Sequence, residues 1–127
     1  MTLRVLPNEE FSSTIGVGYR LAKQFFFENF RETAMFAACD SLALGAMAAA
    51  REFRISVPEE LSILGFDDIS YAALPHIRLS TITHEKQQLA ETTLDCLLER
   101  IESPAPGDLT PRLLRPSLLE RASCRRL

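Results

Sequence analysis

The chain has 127 residues, 46% hydrophobic and 24% charged, with five glycines and a formal net charge of −3. That length suits one domain with a sizeable core, and the composition is that of an ordinary globular chain rather than a disordered or fibrous one. The acidic balance supplies no basic surface for nucleic acid. Cys39, Cys96 and Cys124 are odd in number, widely spaced and without a C-x-x-C pair. They suggest neither a disulfide framework nor a zinc site, and they fit a reducing cytoplasm.

Positions 1–11 read as an irregular start without the apolar region of an export signal. The longest apolar run, 42–50, is too short for the roughly 20 helical residues that cross a bilayer, so no membrane association is expected. From 12 to 30 the pattern is helical, with Ile15, Tyr19, Ala22, Phe26 and Phe30 recurring at threes and fours behind Ser12-Ser13-Thr14. Phe25-Phe26-Phe27 reads as core or subunit contact, since no basic residues interleave to make a base-stacking platform. Gly16-Val17-Gly18 is no dinucleotide fingerprint, because Leu21 stands where the third glycine belongs and the pair falls within a helix. Close packing explains it better.

The apolar run 34–38 predicts a strand, and 41–53 a helix with Leu44, Met47, Ala48 and Arg51 on one side. Asp40 stands where it caps that helix. A second strand follows in the stretch 57–68, where Leu61, Ile63, Leu64 and Phe66 run between Pro58 and the acidic pair Asp67-Asp68. Parallel sheets place ligands outside the carboxyl ends of their strands, so two acidic strand ends, at Asp40 and at Asp67, are expected to face one crevice. Positions 69–74 predict about one helical turn, stopped by Pro75, with His76 solvated in the loop beyond. A short strand at 79–83 precedes His84-Glu85-Lys86-Gln87-Gln88, which misses the zinc-protease motif because Gln88 replaces its second histidine. No metal or cofactor is expected. A helix over 85–101 carries a stripe of Leu89, Thr93, Cys96, Leu97 and Ile101. A loop at 105–108 and an extended segment at 112–119 complete the pattern, and Arg112, Arg115, Arg121, Arg125 and Arg126 read as solvated charges near a frayed end.

Four stretches in combination resemble one family. They are Ala38-Cys39-Asp40-Ser41-Leu42-Ala43-Leu44-Gly45-Ala46, Val57-Pro58-Glu59-Glu60-Leu61-Ser62-Ile63-Leu64-Gly65-Phe66-Asp67-Asp68, Leu79-Ser80-Thr81-Ile82, and Leu118-Leu119-Glu120-Arg121-Ala122-Ser123. The chain resembles the lactose and galactose repressor family of bacterial transcription regulators, whose effector domain is similar to periplasmic sugar-binding proteins. The resemblance implies an α/β fold, a partial three-layer α/β/α sandwich with a parallel sheet, of the type I periplasmic-binding-protein kind and mainly its C-terminal lobe. Residues 12–127 are then the C-terminal portion of an effector and dimerisation domain, with no DNA-binding domain in this chain.

It further implies an effector site for a sugar or related polyhydroxy ligand. Asp67 is its hydroxyl-binding carboxylate, Cys39 stands where relatives commonly hold an asparagine, and Ser13, His84 and Lys86 border the cleft. Asp68 is given no ligand contact. Leu44, Met47, Leu74 and Ile77 are consistent with a homodimer contact and equally with core packing. The helix over 85–101 packs on the other lobe in relatives, so Leu89, Leu97 and Ile101 are expected without a partner here, and effector affinity of this chain alone is expected to be weak or absent. DNA is engaged only through a domain outside this chain. Two other classes compete. A transport-type binding protein shares the fold but carries an export signal; an enzyme using Asp67 and Asp68 as a metal or acid–base pair requires further ligands or a nucleophile, and the motifs for these are lacking.

Overall fold

The alternation of apolar runs and helical stripes is realised in a computed structural model that describes residues 4–7, 12–28, 30–102 and 111–126. The expected loop at 105–108 and much of the 1–11 segment lie outside these. The elements are α1 (Ile15–Phe27), β1 (Ala34–Phe36), α2 (Asp40–Glu52), β2 (Ser62–Phe66), a 3-10 turn (Ser70–Ala73), β3 (Ser80–Thr83), α3 (Lys86–Glu102) and β4 (Ser117–Leu119).

Thr14 starts α1 by accepting at Oγ1 from the Val17 N–H at 3.2 Å, which satisfies one of the helix's free first-turn donors. α1 then buries Val17, Gly18, Ala22, Phe25 and Phe26, the stripe expected of a helix with one apolar face. α2 meets it with small residues, Ala43, Ala46, Ala49 and Ala50, all buried. The two helices cross so closely that a Cβ at Gly18 would stand 2.2 Å from the Leu42 carbonyl oxygen, and one at Gly45 would stand 2.1 Å from that of Ile15. Close packing at Gly18 is therefore a fact of the fold. The aromatic run behaves as core for Phe25 and Phe26, which pack with Phe30 and Phe53, while Phe27 is exposed and set edge-on to Phe53.

The sheet runs β1-β2-β3-β4, the first three strands parallel and β4 antiparallel to β3 with Thr81 opposite Leu119. The sheet is thus mixed, with its one reversed strand at an edge. Register sets Met35, Ile63, Gly65 and Thr81 on one face, and this face joins the core shared with α1 and α2. Leu61, Ile63 and Leu79 are fully buried there, each worth about 1.5–3 kcal/mol of apolar burial. On the other face Phe36 and Leu118 stay 59% and 54% exposed. Of the expected α/β/α sandwich, the described residues supply the sheet and one helical layer.

α3 buries none of its residues, and Leu89, Leu97 and Ile101 are among its exposed apolar side chains. Among the described residues Leu89, Leu97 and Ile101 thus find no covering partner, as expected.

Candidate functional site

Because β1, β2 and β3 are parallel, the residues that follow them emerge at one end of the sheet. After β1 come Cys39 and Asp40. Asp40 does not cap α2: Cys39 occupies the cap position, and its side chain makes no capping bond. The Asp40 carboxylate instead turns inward, fully buried, and accepts from Thr81 Oγ1 at 2.6 Å and from the Ile69 N–H at 2.9 Å. It has room because β2 carries a glycine below it; a Cβ at Gly65 would lie 2.2 Å from Asp40 Oδ1. The side chain therefore ties the start of α2 to β3 and to the turn after β2. A buried polar group is stable only when bonded in this way.

After β2 the chain enters Asp67 with φ 104° and Asp68 with φ 51°, two consecutive non-glycine residues in the left-handed region. Such conformations cost roughly 1–3 kcal/mol each and tend to collect at binding sites. The Asp67 N–H donates to the Ile82 carbonyl at 2.9 Å, which pins the strand end. Its half-buried carboxylate is left without a hydrogen bond or ion pair among the described residues. Asp68 differs. Its Oδ1 accepts from Arg121 Nη2 at 2.7 Å, and its carbonyl accepts from Lys86 Nζ.

The predicted site residues gather in two groups. The Cys39 thiol donates to the Ser13 carbonyl at 3.9 Å, a weak contact that sets the start of α1 beside the end of β1. Asp67 lies beside the second group, in which the His84 ring stands edge-on to Phe66 with centroids 5.0 Å apart and Lys86 reaches the Asp68 carbonyl. Sequence reasoning missed three participants: Thr81, Phe66 and Arg121. Arg121 is no solvated tail charge, since it also donates through Nη1 to the Leu79 carbonyl at 2.8 Å. The signal available for it was its spacing to Ser123 in the closing motif. Ser123 is itself buried, donating to the Ile63 carbonyl at 2.6 Å and accepting from the Ser80 N–H at 2.7 Å.

Residues 3–124 match the periplasmic binding protein-like domain family. The chain belongs to that family. A curated relative, the HTH-type transcriptional repressor PurR of Erwinia tasmaniensis, is 36% identical over 106 residues, covering 84% of this chain and 31% of that protein. A LacI-family transcriptional regulator from Enterococcus faecium, solved with bound ribose, superposes with a TM-score of 0.79 at 28% identity, over 96% of this chain and 43% of that one. The lac repressor dimer bound to operator and the anti-inducer ONPF superposes with a TM-score of 0.76 at 32% identity, over 87% of this chain and 38% of that one. The fold is that of a LacI/GalR-type effector domain, and the chain spans about a third of the length of the curated relatives it matches.

Between the first turn of α1, one side of α2 and the segment 71–77, this effector-domain fold carries a cavity of about 260 Å³ whose lining includes Ile15, Leu44, Met47, Tyr71, His76 and Ile77. Three of the four residues predicted for a dimer contact line it; Leu74, half-buried, does not. Among the described residues no helix is long and apolar enough to cross a membrane.

Proposed function

We propose that the chain forms one wall of the effector cleft of a LacI/GalR-type transcription regulator. In this reading Asp67 accepts hydrogen bonds from the hydroxyls of a sugar or related polyhydroxy effector, with Ser13, Cys39, His84 and Lys86 around it. The observation that carries the reading is the Asp67 carboxylate, without a partner among the described residues, at the carboxyl end of a parallel strand and held in a left-handed conformation. A carboxylate accepting from hydroxyls makes the stronger, charge-assisted kind of bond, so it is an economical anchor for a polyol. The ribose bound in the Enterococcus faecium neighbour is consistent with that chemistry.

Two copies pair through the face of Leu44, Met47, Leu74 and Ile77, and DNA is reached through a domain outside this chain, in the cytoplasm. Effector binding then shifts DNA affinity by a coupling free energy, typically about 1–3 kcal/mol. One wall alone gives weak affinity. The test is a ribose titration of the isotope-labelled chain followed by amide chemical shifts. Saturable, millimolar-range shifts at Asp67 and Cys39 that vanish in Asp67→Asn are expected; shifts that persist in Asp67→Asn would remove Asp67 from the site. Sedimentation equilibrium of the same sample tests the pairing, with a defined dimer expected and its loss in Met47→Glu.

A further inference from the structure

We propose that Arg121 is a positioning residue for the effector wall, fixing the Asp67-Asp68 turn through a two-point grip on Asp68 and the entry of β3. The inference rests on the reading of Asp67 as the effector contact and adds to it the element that holds that contact in place.

The turn needs outside support, because Asp67 and Asp68 both sit at positive φ and neither is a glycine. Bonds to its neighbours fix its two ends: the Asp67 N–H on the Ile82 carbonyl and the Ile69 N–H on Asp40 Oδ2, both at 2.9 Å. Asp68, between them, is held by two cations from elsewhere in the chain. Lys86, the first residue of α3, reaches its carbonyl, and Arg121, just beyond β4, reaches its carboxylate at 2.7 Å.

Of the two, Arg121 is the better anchored. Its own N–H donates to Ser80 Oγ at 2.9 Å and its Nη1 to the Leu79 carbonyl at 2.8 Å, so the guanidinium is oriented before it meets Asp68. The side chains of Arg121 and Asp68 are 19% and 25% exposed, which limits solvent screening of the pair. The planar fork holds a carbonyl and a carboxylate in one fixed geometry, whereas a lysine in its place is a point charge with rotatable donors on a flexible stem. The segment after β4 thereby sets the conformation of a turn more than fifty positions earlier in sequence.

Amide shifts of the isotope-labelled full chain test this in Arg121→Gln, Arg121→Lys and Asp68→Ala. In Arg121→Gln the resonances of Asp67, Asp68 and Ile69 are expected to move or broaden while those of Ala43, Ala46 and Ala49 in α2 stay in place, and half-saturation by ribose is expected to weaken about tenfold. Arg121→Lys is expected to keep the displaced pattern, since it restores charge without the fork. A folded Arg121→Gln with the turn resonances at their parent positions overturns the proposal. Should Arg121→Gln fail to fold, Asp68→Ala decides: it removes the acceptor of Arg121 while leaving the bonds of Arg121 to Leu79 and Ser80 intact, and an unperturbed turn there is equally fatal. If the parent chain does not respond to ribose, the Asp67 reading fails for that ligand, and the resonances of the turn alone decide the role of Arg121.

Discussion

The end of β1 and the end of β2 look alike in sequence, each an apolar run closing on aspartate, yet the two acids have opposite fates. Asp40 is swallowed by the core and bonded twice, while Asp67 stands half-exposed at φ 104° with a free carboxylate. The difference lies in what faces each of them. Gly65 leaves a space under Asp40, and Thr81 and Ile69 supply donors into it. Among the described residues no donor comparably reaches the Asp67 carboxylate. An acidic strand end is thus a structural tie when a glycine and donors converge on it, and its carboxylate stays available when they do not.

The sharpest way to break this comparison is Asp40→Ala, which strands the Thr81 hydroxyl and the Ile69 N–H in the core. Its expected cost is about 3 kcal/mol in urea unfolding, at about 1–3 kcal/mol for each buried group left unpaired. A loss within about 0.5 kcal/mol, the range of ordinary surface changes, would mean that Asp40 is no tie. Gly65→Ala is expected to cost roughly 1–3 kcal/mol by overpacking the same space. Asp67→Gly should carry the opposite sign. Relief of the left-handed backbone, offset by the larger entropy of an unfolded glycine, is expected to leave stability equal or higher by up to about 1 kcal/mol, while the ribose response disappears. Leu97→Lys on the uncovered face of α3 is expected to change stability by less than about 0.5 kcal/mol, in contrast to any substitution at Leu61.

The smallest effect belongs to an acid that is neither buried nor strained. Glu52, on the surface of α2, accepts from Lys23 Nζ at 2.7 Å and from the Tyr19 hydroxyl. These bonds, Lys23 first and Tyr19 second, hold its carboxyl below the ordinary value of 4.5. A carboxyl lowered in the folded state adds stability above its unfolded value and loses it as pH falls through the folded one. Glu52→Gln is therefore expected to be slightly less stable than the parent at neutral pH, with the gap closing as pH falls from the ordinary value of 4.5 through the lowered folded one. A gap that stays constant as the carboxyl protonates would show that the pair with Lys23 contributes nothing.

The elements themselves were legible in the residues. The strands within the apolar runs 34–38 and 57–68 and the helix expected over 41–53 fall where the local pattern places them, whereas the face α2 buries is that of Ala43, Ala46, Ala49 and Ala50, with Ala48 and Arg51 exposed. What was not legible depends on partners distant in sequence. The inward turn of Asp40 requires Gly65 and Thr81, far along the chain and on other strands, so turn chemistry alone suggested a cap. Arg121 was lost among neighbouring arginines for the same reason, because its acceptors belong to β3 and to the turn after β2. The antiparallel sense of β4 was also unreadable, since strand direction leaves no mark on composition.

The glycine crossing of α1 and α2 has a mechanical consequence. With the Gly18 and Gly45 backbones in direct apposition, neither helix has side-chain slack through which to slide or roll against the other. Ser13 enters α1 and Cys39 precedes α2, so this part of the wall moves as one stiff plate. A displacement of Ser13 is thereby carried to Cys39 rather than absorbed between the helices.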